Sequence, residues 1–585
     1  MLLGLMALWT QAAPALRGAF TVTQADGTRL TIEQFGDEYH HWTSTTDGIM
    51  VVNTGKGYYV AHIKDDGQVE ATNLLAHEPA FRSGSEQAAA EVQRQRMALF
   101  HEKGEQARRR ALSVNSNRYP YLPHLGQPHV LCILAEFQDV GFTVNRPVEA
   151  FYQLMNGDTQ ADLGNENSMN YCSVSQYFQA CSHGLFAPVF DVVGPVVLPH
   201  ELAYYGGKSS TGGDDEFTKF CADAMEQVKA EGMVTDWSLY DNDGDGRIEL
   251  VTIIYAGYGQ NQGGSEGTLW AKASQVNLRV DDDYKASFFN CSCELFHPDE
   301  RYKSWINGTG VFCHEMSHCM GLPDLYATSS SGYVNNQGME SWDIMDYGCY
   351  NKNGFAPALY TAWEQEVMGW TSIEVVTDGQ ELPDILPIEE GGKAYKIVNS
   401  DDERDYIVME NIQQRGVNSA ARGHGLLVYH VAYPYSSVNM FDHPNNTPGR
   451  PGVAVVPAGG LLINNYLRGT DKTYTTEQWR QSIAASAFPG SQGVSRLSDQ
   501  QQLPNYHFNT ADGGTKPVSF TLDNIAEDAA TGAVSVSLTA TGIKPLPLDN
   551  APWSGKAYTL SGWQQAAPRK GIVIYKGKKG VKPEN

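Results

Sequence analysis

The sequence predicts a central α/β domain, with an α+β region before it and a mainly β, sandwich-like region after it. Apolar strand-like runs precede the helical segment 311–321, which is the order expected of an α/β unit. Short alternating runs and a charged helix fill residues 16–115, and five strand-like runs follow residue 376. A chain of 585 residues is too long to fold around one hydrophobic core, and its length predicts about three domains.

The N-terminus predicts a secretory signal peptide over residues 1–15. Residues 2–9 are apolar, and small residues follow at 12–15, as they do near a signal-peptidase site. A positively charged start is missing, so the alternatives are a truncated signal or an apolar strand or helix of the mature protein. No other run reaches about 18 consecutive apolar residues, which predicts that the chain has no transmembrane span.

Residues 16–115 are predicted to form a leader, and residues 116–375 the α/β domain. In the leader, residues 20–59 alternate between polar and apolar and carry turns, whereas residues 86–110 have the composition of a charged helix. The strand and helix candidates of the α/β domain are residues 131–137, 217–232, 251–255 and 311–321.

Residues 376–545 are predicted to be mainly β, and residues 546–585 to form a short tail. The long segment 440–515 is rich in Asn, Gly, Pro and Ser, which predicts large loops. The tail resembles the C-terminal tails of proteins exported by the Gram-negative type IX route, and a plain basic tail is the alternative. The strand-like runs are residues 395–398, 406–409, 426–431, 518–522 and 534–538.

The charge balance argues against one class of partner. The formal net charge is −25, and nucleic-acid binding needs Lys and Arg to neutralise phosphates, so we expect no nucleic-acid partner. The same excess of carboxylates suits a soluble secreted protein that holds cations.

His314, Glu315 and His318 form the pattern HExxH. On a helix, residues four apart lie on the same face, so both imidazoles can bind one zinc ion while Glu315 is free to move protons. By composition this pattern arises by accident in roughly one such chain in 40, so the pattern alone is weak evidence.

Three further residues strengthen the zinc prediction. Gly321 can adopt a positive φ and end the helix, and Pro323 cannot continue it. The chain then turns, and Asp324 can return to the metal as third ligand, leaving the fourth position open for a water whose proton Glu315 takes. Requiring Gly321 and Asp324 lowers the accidental rate to the order of 10⁻⁴ per chain.

The extended pattern resembles the metzincins, although their usual third ligand is His rather than Asp. Metzincins carry a methionine turn beneath the zinc, and Met345 in the run SWDIMDYG fits this role. Ordinary core packing is the alternative for Met345. The resemblance also makes Tyr347 a candidate to approach the zinc or the transition-state oxygen. A rival, thermolysin-like interpretation takes Glu340 as third ligand, 22 residues after His318.

Several ordered blocks between about residues 125 and 435 resemble the immune inhibitor A family of secreted metallopeptidases. The resemblance implies a zinc-dependent endopeptidase that is made as a zymogen, so the leader is expected to be a propeptide. The blocks are CSVSQYFQACSHGLF, YDNDGDGRIELVTIIYAGYG, HEMSHCMGLPDLY, SWDIMDYG, PALYTAWEQEVMGW and DYIVMENIQQRG.

A second metal site is predicted at residues 241–249. Asp241, Asp243 and Asp245 alternate around a glycine-containing turn, and Glu249 follows, which suits the oxygen ligands that Ca²⁺ requires. The spacing resembles the start of an EF-hand loop but departs from it at the twelfth position. An Asp/Gly turn without metal is the alternative.

Together these features predict a secreted or cell-surface zinc endopeptidase, monomeric, acting on protein or glycoprotein substrates. The alternatives are a non-catalytic cell-surface adhesin on a peptidase scaffold, and a thermolysin-like zinc hydrolase with Glu340 as ligand. A scaffold that has lost catalysis is expected to lack Glu315 or a ligand, whereas all of them are present.

Overall fold

The fold is taken from a computed structural model. It describes residues 10–37, 40–111, 120–157, 169–207, 216–328, 338–433, 438–463, 474–541, 557–559, 564–565, 571–575 and 578–582. Residues 2–9 of the predicted signal peptide and most of the predicted tail lie outside these ranges.

The leader is a six-stranded antiparallel meander, in the order β2 to β7, with one long helix packed on β6 and β7. Strand β3 alternates buried and part-exposed side chains, so Leu30 and Ile32 enter the core. The elements are β1 (Thr10–Gln11), β2 (Phe20–Thr23), β3 (Arg29–Gly36), β4 (His41–Thr45), β5 (Met50–Asn53), β6 (Tyr58–Ile63), β7 (Val69–Leu75) and α1 (Gly84–Ala111).

The central sheet has six strands in the order β1-β11-β12-β10-β8-β9. Strands β9, β8, β10 and β12 run parallel, whereas β11 is antiparallel to β12 and β1 is antiparallel to β11. The strands are β8 (His129–Glu136), β9 (Val189–Val197), β10 (Arg247–Tyr258), β11 (Lys272–Arg279) and β12 (Lys285–Leu295). The helices of this region are α2 (Pro147–Asn156), α3 (Val174–Cys181), α4 (Leu202–Tyr205), α5 (Phe217–Ala230) and α6 (Thr309–Cys319).

Both faces of this sheet are covered, which explains its continuous apolar strands. On β8, Cys132 and Leu134 belong to the core shared with α2, α3 and α6. The alternate residues Leu131 and Ile133 belong to the core shared with α5. The period of two along the strand therefore divides the apolar side chains between two helical layers, and it places α6 on one face of the sheet.

Helix α6 is buried along its whole length and fits closely against the chain that follows it. A Cβ at Gly310 would lie 2.0 Å from the carbonyl oxygen of Cys349, so only glycine permits this approach. The 3-10 segments after α6 are Glu340–Trp342 and Tyr347–Gly354, and the next helix is Ala362–Val367, which begins with a capping box at Thr361.

The C-terminal region contains two facing sheets, and its β-rich character agrees with the prediction. A five-stranded sheet, β13-β15-β16-β17-β18, and a three-stranded sheet, β14-β22-β21, share one apolar core. The strands are β13 (Glu374–Val375), β14 (Glu381–Ile385), β15 (Tyr395–Asn399), β16 (Asp402–Ile412), β17 (Gly425–Ala432), β18 (Val453–Val455), β19 (His507–Asn509), β20 (Thr515–Pro517), β21 (Phe520–Glu527) and β22 (Val534–Ala540).

The remaining elements are short. Strands β19 and β20 form a hairpin, and the helix Thr476–Ala484 lies within the predicted loop region. Four tail strands form a small sheet: β23 (Ala557–Thr559), β24 (Gln564–Gln565), β25 (Gly571–Tyr575) and β26 (Lys578–Lys582). Among the described residues, no helix is both long and apolar enough to cross a membrane.

The end of the predicted signal peptide lies within the described residues. Part of the predicted signal peptide is built into the fold, because β1 extends the central sheet and Ala12, Ala13 and Ala15 are almost fully buried. Leu16 also belongs to the main apolar core. In the unprocessed chain the segment packs as an apolar strand would, and cleavage of a signal peptide stays a prediction.

The close approach at Gly310 gives a stability prediction. We expect Gly310→Ala to lower the free energy of unfolding by about 1–3 kcal/mol, because the backbone at Cys349 has to move. Thermal or urea unfolding measures this. Gly84→Ala is the control, since a Cβ there meets nothing within 4 Å. Equal stability of the Gly310 variant and wild type would show that the contact is not constraining.

Candidate active site

Three buried side chains predicted as zinc ligands come together at the end of α6. The Nε2 atoms of His314 and His318 each lie 3.3 Å from Oδ1 of Asp324. The two imidazole rings are nearly perpendicular, at 85°, with centroids 4.8 Å apart. Helix α6 supplies both imidazoles, and the turn that begins at Gly321, where φ is +105°, brings Asp324 back to them.

The second nitrogen of each imidazole is fixed by a backbone carbonyl. Nδ1 of His314 lies 2.8 Å from the carbonyl oxygen of Ile344, and Nδ1 of His318 lies 2.8 Å from that of Leu322. Because a carbonyl only accepts, each Nδ1 carries the proton and each Nε2 presents its lone pair to the cluster. This is the tautomer that a metal ion requires.

The donor set fits a zinc ion. Nε2 of both histidines and both carboxylate oxygens of Asp324 are buried without a hydrogen-bond partner. Two ligand atoms held about 2.0–2.1 Å from one ion at the tetrahedral angle lie about 3.3–3.4 Å apart, which matches the separations here. The separations exceed the roughly 2.7–2.9 Å of a charge-assisted hydrogen bond. Two nitrogens and a carboxylate are ligands that zinc accepts.

Burial and neighbouring charge set the protonation of the two carboxylates. Burial opposes ionisation of Asp324, but the charge that His318 and His314 carry when protonated outweighs it and lowers the pKa of Asp324 to about 2. Burial raises the pKa of Glu315 to about 8, although His314 and a hydrogen bond from the backbone amide of Ala13 act in the opposite direction. Asp324 is thus suited to metal binding and Glu315 to proton transfer.

The predicted methionine turn lies directly against the cluster. Met345 is fully buried, its amide donates to Oδ1 of Asp343 at 2.7 Å, and its carbonyl accepts from the amide of Leu325 at 2.8 Å. Ile344 supplies the carbonyl that orients His314. The turn thus contacts the chain beside two of the three candidate ligands. Sequence reasoning identified Met345 but missed Asp343 and Ile344.

Tyr347 and Glu340, the other two candidate residues from the sequence, lie in separate surroundings. The Tyr347 ring is buried, 6.3 Å from that of Tyr326, and burial raises the pKa of its hydroxyl. Glu340 accepts a hydrogen bond from Nε1 of Trp479 at 3.1 Å and lies outside the cluster formed by the two histidines and Asp324. The structure therefore does not support the thermolysin-like alternative in which Glu340 is the third ligand.

A second acidic cluster lies between α5 and β10. Asp241, Asp243 and Glu249 bring carboxylate oxygens within 4.8 Å of one another, whereas Asp245 is not part of this group. Oε1 of Glu249 is buried without a hydrogen-bond partner, and burial raises the pKa of Glu249. The carboxylate of Asp241 accepts from the amides of Gly244, Asp245 and Gly246, which closes the loop.

Comparison with known proteins agrees with this geometry. Residues 127–371 match the model of the immune inhibitor A peptidase M6 catalytic domain. The resemblance predicted from the sequence is confirmed for this region.

Two kinds of curated relative are similar to part of this chain. The pre-pro-metalloproteases PrtV of two Vibrio cholerae serotype O1 strains, M66-2 and El Tor Inaba N16961, are each 26% identical over 274 residues, covering 41% of this chain and 29% of the relative. Immune inhibitor A of Bacillus thuringiensis subsp. alesti is 25% identical over 264 residues, covering 40% of this chain and 37% of the relative. The chain thus spans well under half the length of these proteins.

The two candidate third ligands give a direct prediction. We expect Asp324→Asn to reduce bound zinc from about one ion per chain to below about a tenth, because the Asp324 carboxylate faces both imidazoles. Glu340→Gln is the matched control and is expected to keep its zinc. Elemental analysis of the purified, dialysed variants measures this. Zinc loss in the Glu340 variant alone would reverse the assignment.

Proposed function

We propose that this protein is a zinc-dependent endopeptidase of the metzincin kind that hydrolyses protein substrates. The observation that carries the proposal is the set of buried, unpartnered ligand atoms on His314, His318 and Asp324 beside the carboxylate of Glu315. Such atoms lose solvation without compensation unless a cation binds them. The match of residues 127–371 to a peptidase catalytic domain gives the same chemistry independently.

The side chains divide the reaction between them. A bound zinc ion supplies Lewis acidity that favours attack of water on a peptide carbonyl. Glu315 would accept the proton of the attacking water and pass it to the leaving amine, a role that suits a buried carboxylate directly beside the candidate ligand His314. The carbonyls of Ile344 and Leu322 keep the imidazoles oriented throughout.

We also propose that the leader, residues 16–115, is a propeptide and that the enzyme is a zymogen. Two observations support this. The backbone amide of Ala13, just before the leader, donates to Oε1 of Glu315 at 2.7 Å, so the proposed general base is engaged by the chain itself. The leader also packs on the catalytic region, where the side chain of Gln34 donates to the carbonyl of Gln260. The Vibrio relatives are named pre-pro-metalloproteases.

The acidic cluster at Asp241, Asp243 and Glu249 is proposed to hold a structural calcium ion. Three carboxylates held together repel one another, and a divalent cation removes that repulsion. The buried, unpartnered Oε1 of Glu249 supports a cation rather than a simple turn. The loop joins the 3-10 turn Trp237–Tyr240 to β10, so a cation there would stiffen the start of a central strand.

We further propose secretion or cell-surface location, a monomeric state, and protein or glycoprotein substrates. An acidic chain of net charge −25 in which no described helix crosses a membrane is consistent with export. A non-catalytic adhesin on this scaffold is the second candidate function. It is disfavoured because Glu315 and all three candidate ligands are present and assembled.

The central prediction concerns Glu315. We expect the processed protein to degrade casein, a zinc chelator to stop it, and Glu315→Ala to keep its zinc while losing at least about 10³-fold in kcat. Casein hydrolysis and zinc content are measured on the same preparations. Glu527→Ala, at a partly exposed carboxylate in the C-terminal sheet, is the control. Undiminished cleavage by the Glu315 variant would exclude this mechanism.

The calcium proposal predicts a stability effect. We expect millimolar Ca²⁺ to raise the melting temperature of the wild type by several degrees, and Asp243→Asn to abolish that rise. Asp528→Asn is the matched control, because Asp528 caps an exposed turn far from the cluster. Differential scanning calorimetry with and without chelator measures both. The same rise in the Asp243 variant would show that calcium acts elsewhere.

A further inference from the structure

The cleft beside Glu315 already holds a stretch of this chain in extended form. Strand β1 pairs antiparallel with the edge strand β11, with Thr10 opposite Ser274 and Gln11 opposite Ala273. The chain continues past the candidate metal site, where the amide of Ala13 reaches Glu315. We call residues 10–17 the cleft segment. Its course is that of a peptide laid along the edge of the sheet and across the general base.

Three aromatic side chains hold consecutive carbonyls of the cleft segment. The hydroxyl of Tyr326 donates to the carbonyl of Ala12 at 2.6 Å, and Nε1 of Trp270 donates to that of Ala13 at 2.9 Å. The hydroxyl of Tyr350 donates to the carbonyl of Pro14 at 2.7 Å. All three donors belong to residues 127–371. Each donates to a backbone carbonyl, so these hydrogen bonds do not depend on which side chains the bound peptide carries.

The same surroundings restrict the size of the bound residues. Ala12 and Ala13 are fully buried and Ala15 is 1% exposed. Ala12 and Ala15 pack on the indole of Trp270 as a separate apolar cluster. There is room for methyl groups at these positions, and a large side chain would require the cleft to rearrange.

The far end of the cleft segment reaches the other candidate catalytic group. The guanidinium of Arg17 lies 6.0 Å from the ring centre of Tyr347 and 4.4 Å from that of Phe35 in the leader. One short segment therefore contacts both Glu315 and Tyr347.

We propose that Trp270, Tyr326 and Tyr350 form a carbonyl-binding frame that holds an extended peptide with small residues next to Glu315, and that the cleft segment is its occupant in the unprocessed chain. The substrate class is an extended polypeptide with Ala- or Pro-sized residues at the positions of Ala12 to Ala15. This inference rests on the proposed endopeptidase function and names the residues that bind its substrate.

The first experiment measures peptide binding directly. A fluorescein-labelled peptide with the sequence of residues 10–17 is titrated with full-length zinc-loaded protein, and polarisation is read directly after mixing at low temperature. We expect Ala15→Trp, which cannot fit against Trp270, to expel the cleft segment and bind the peptide roughly tenfold or more tightly than wild type. Ala19→Trp is the matched control at an exposed position and is expected to behave as wild type.

The frame is tested in the opened protein. Adding Tyr350→Phe to Ala15→Trp is expected to weaken peptide binding about 3- to 10-fold, since one hydrogen bond is lost and the ring stays. Adding Tyr506→Phe removes a comparable hydroxyl-to-carbonyl bond in the C-terminal region and is expected to change nothing. Unchanged affinity on loss of the Tyr350 hydroxyl, or equal binding by Ala15→Trp and wild type, overturns the proposal.

A second measurement does not depend on the Ala15 variant. Hydrogen exchange of the cleft segment is followed by mass spectrometry in otherwise wild-type protein, and Tyr350→Phe is expected to accelerate it severalfold while Tyr506→Phe does not. Equal exchange in both variants contradicts the frame. Neither readout needs hydrolysis, so loss of all casein cleavage with an intact binding pattern would refute the proposed function and leave the frame standing.

Discussion

The rest of this region depends on two buried imidazoles that are held in fixed orientations. Helix α6 is enclosed on every side, and Nε2 of His314 and of His318 face Asp324 without hydrogen-bond partners. Leaving such atoms unpaired costs about 1–3 kcal/mol each. One cation bound by all of these groups would offset that cost, so the proposed zinc site links metal binding to stability. Glycine at 310 is part of the same constraint, since it lets α6 approach the chain that carries the methionine turn.

The sequence was informative wherever the structure is local. The parallel strands are buried on both faces and therefore appear as continuous apolar runs, such as residues 131–137. His314, His318 and Asp324 lie within eleven residues, so helix geometry and one glycine turn are enough to bring them together. The β-rich character of the C-terminal region followed from runs in which polar and apolar residues alternate, which is also a local pattern.

Features set by distant parts of the chain could not be predicted. The carbonyl of Ile344 orients His314. Because every residue has a backbone carbonyl, the pattern of residue types does not reveal this contact. Asp245 alternates with Asp243 in sequence, yet loop closure by backbone amides keeps it out of the acidic cluster. The N-terminal segment was interpreted as the end of a signal peptide because its residues are small. Small residues also suit a narrow cleft, and the contact with Trp270, 257 residues away in the sequence, could not be foreseen from the local pattern.

Occupation of the cleft by its own chain needs no strong interaction. Each hydrogen bond between the frame and the cleft segment is worth about 1 kcal/mol, which by itself gives weak binding. Covalent attachment, however, raises the effective concentration of the segment to the millimolar range or above, so weak contacts suffice to keep Glu315 engaged. On the zymogen proposal, processing that removes the cleft segment ends that advantage, because the released peptide then competes with substrate only at its bulk concentration. On these proposals, the contacts that block the cleft before processing are the contacts that bind substrate after it.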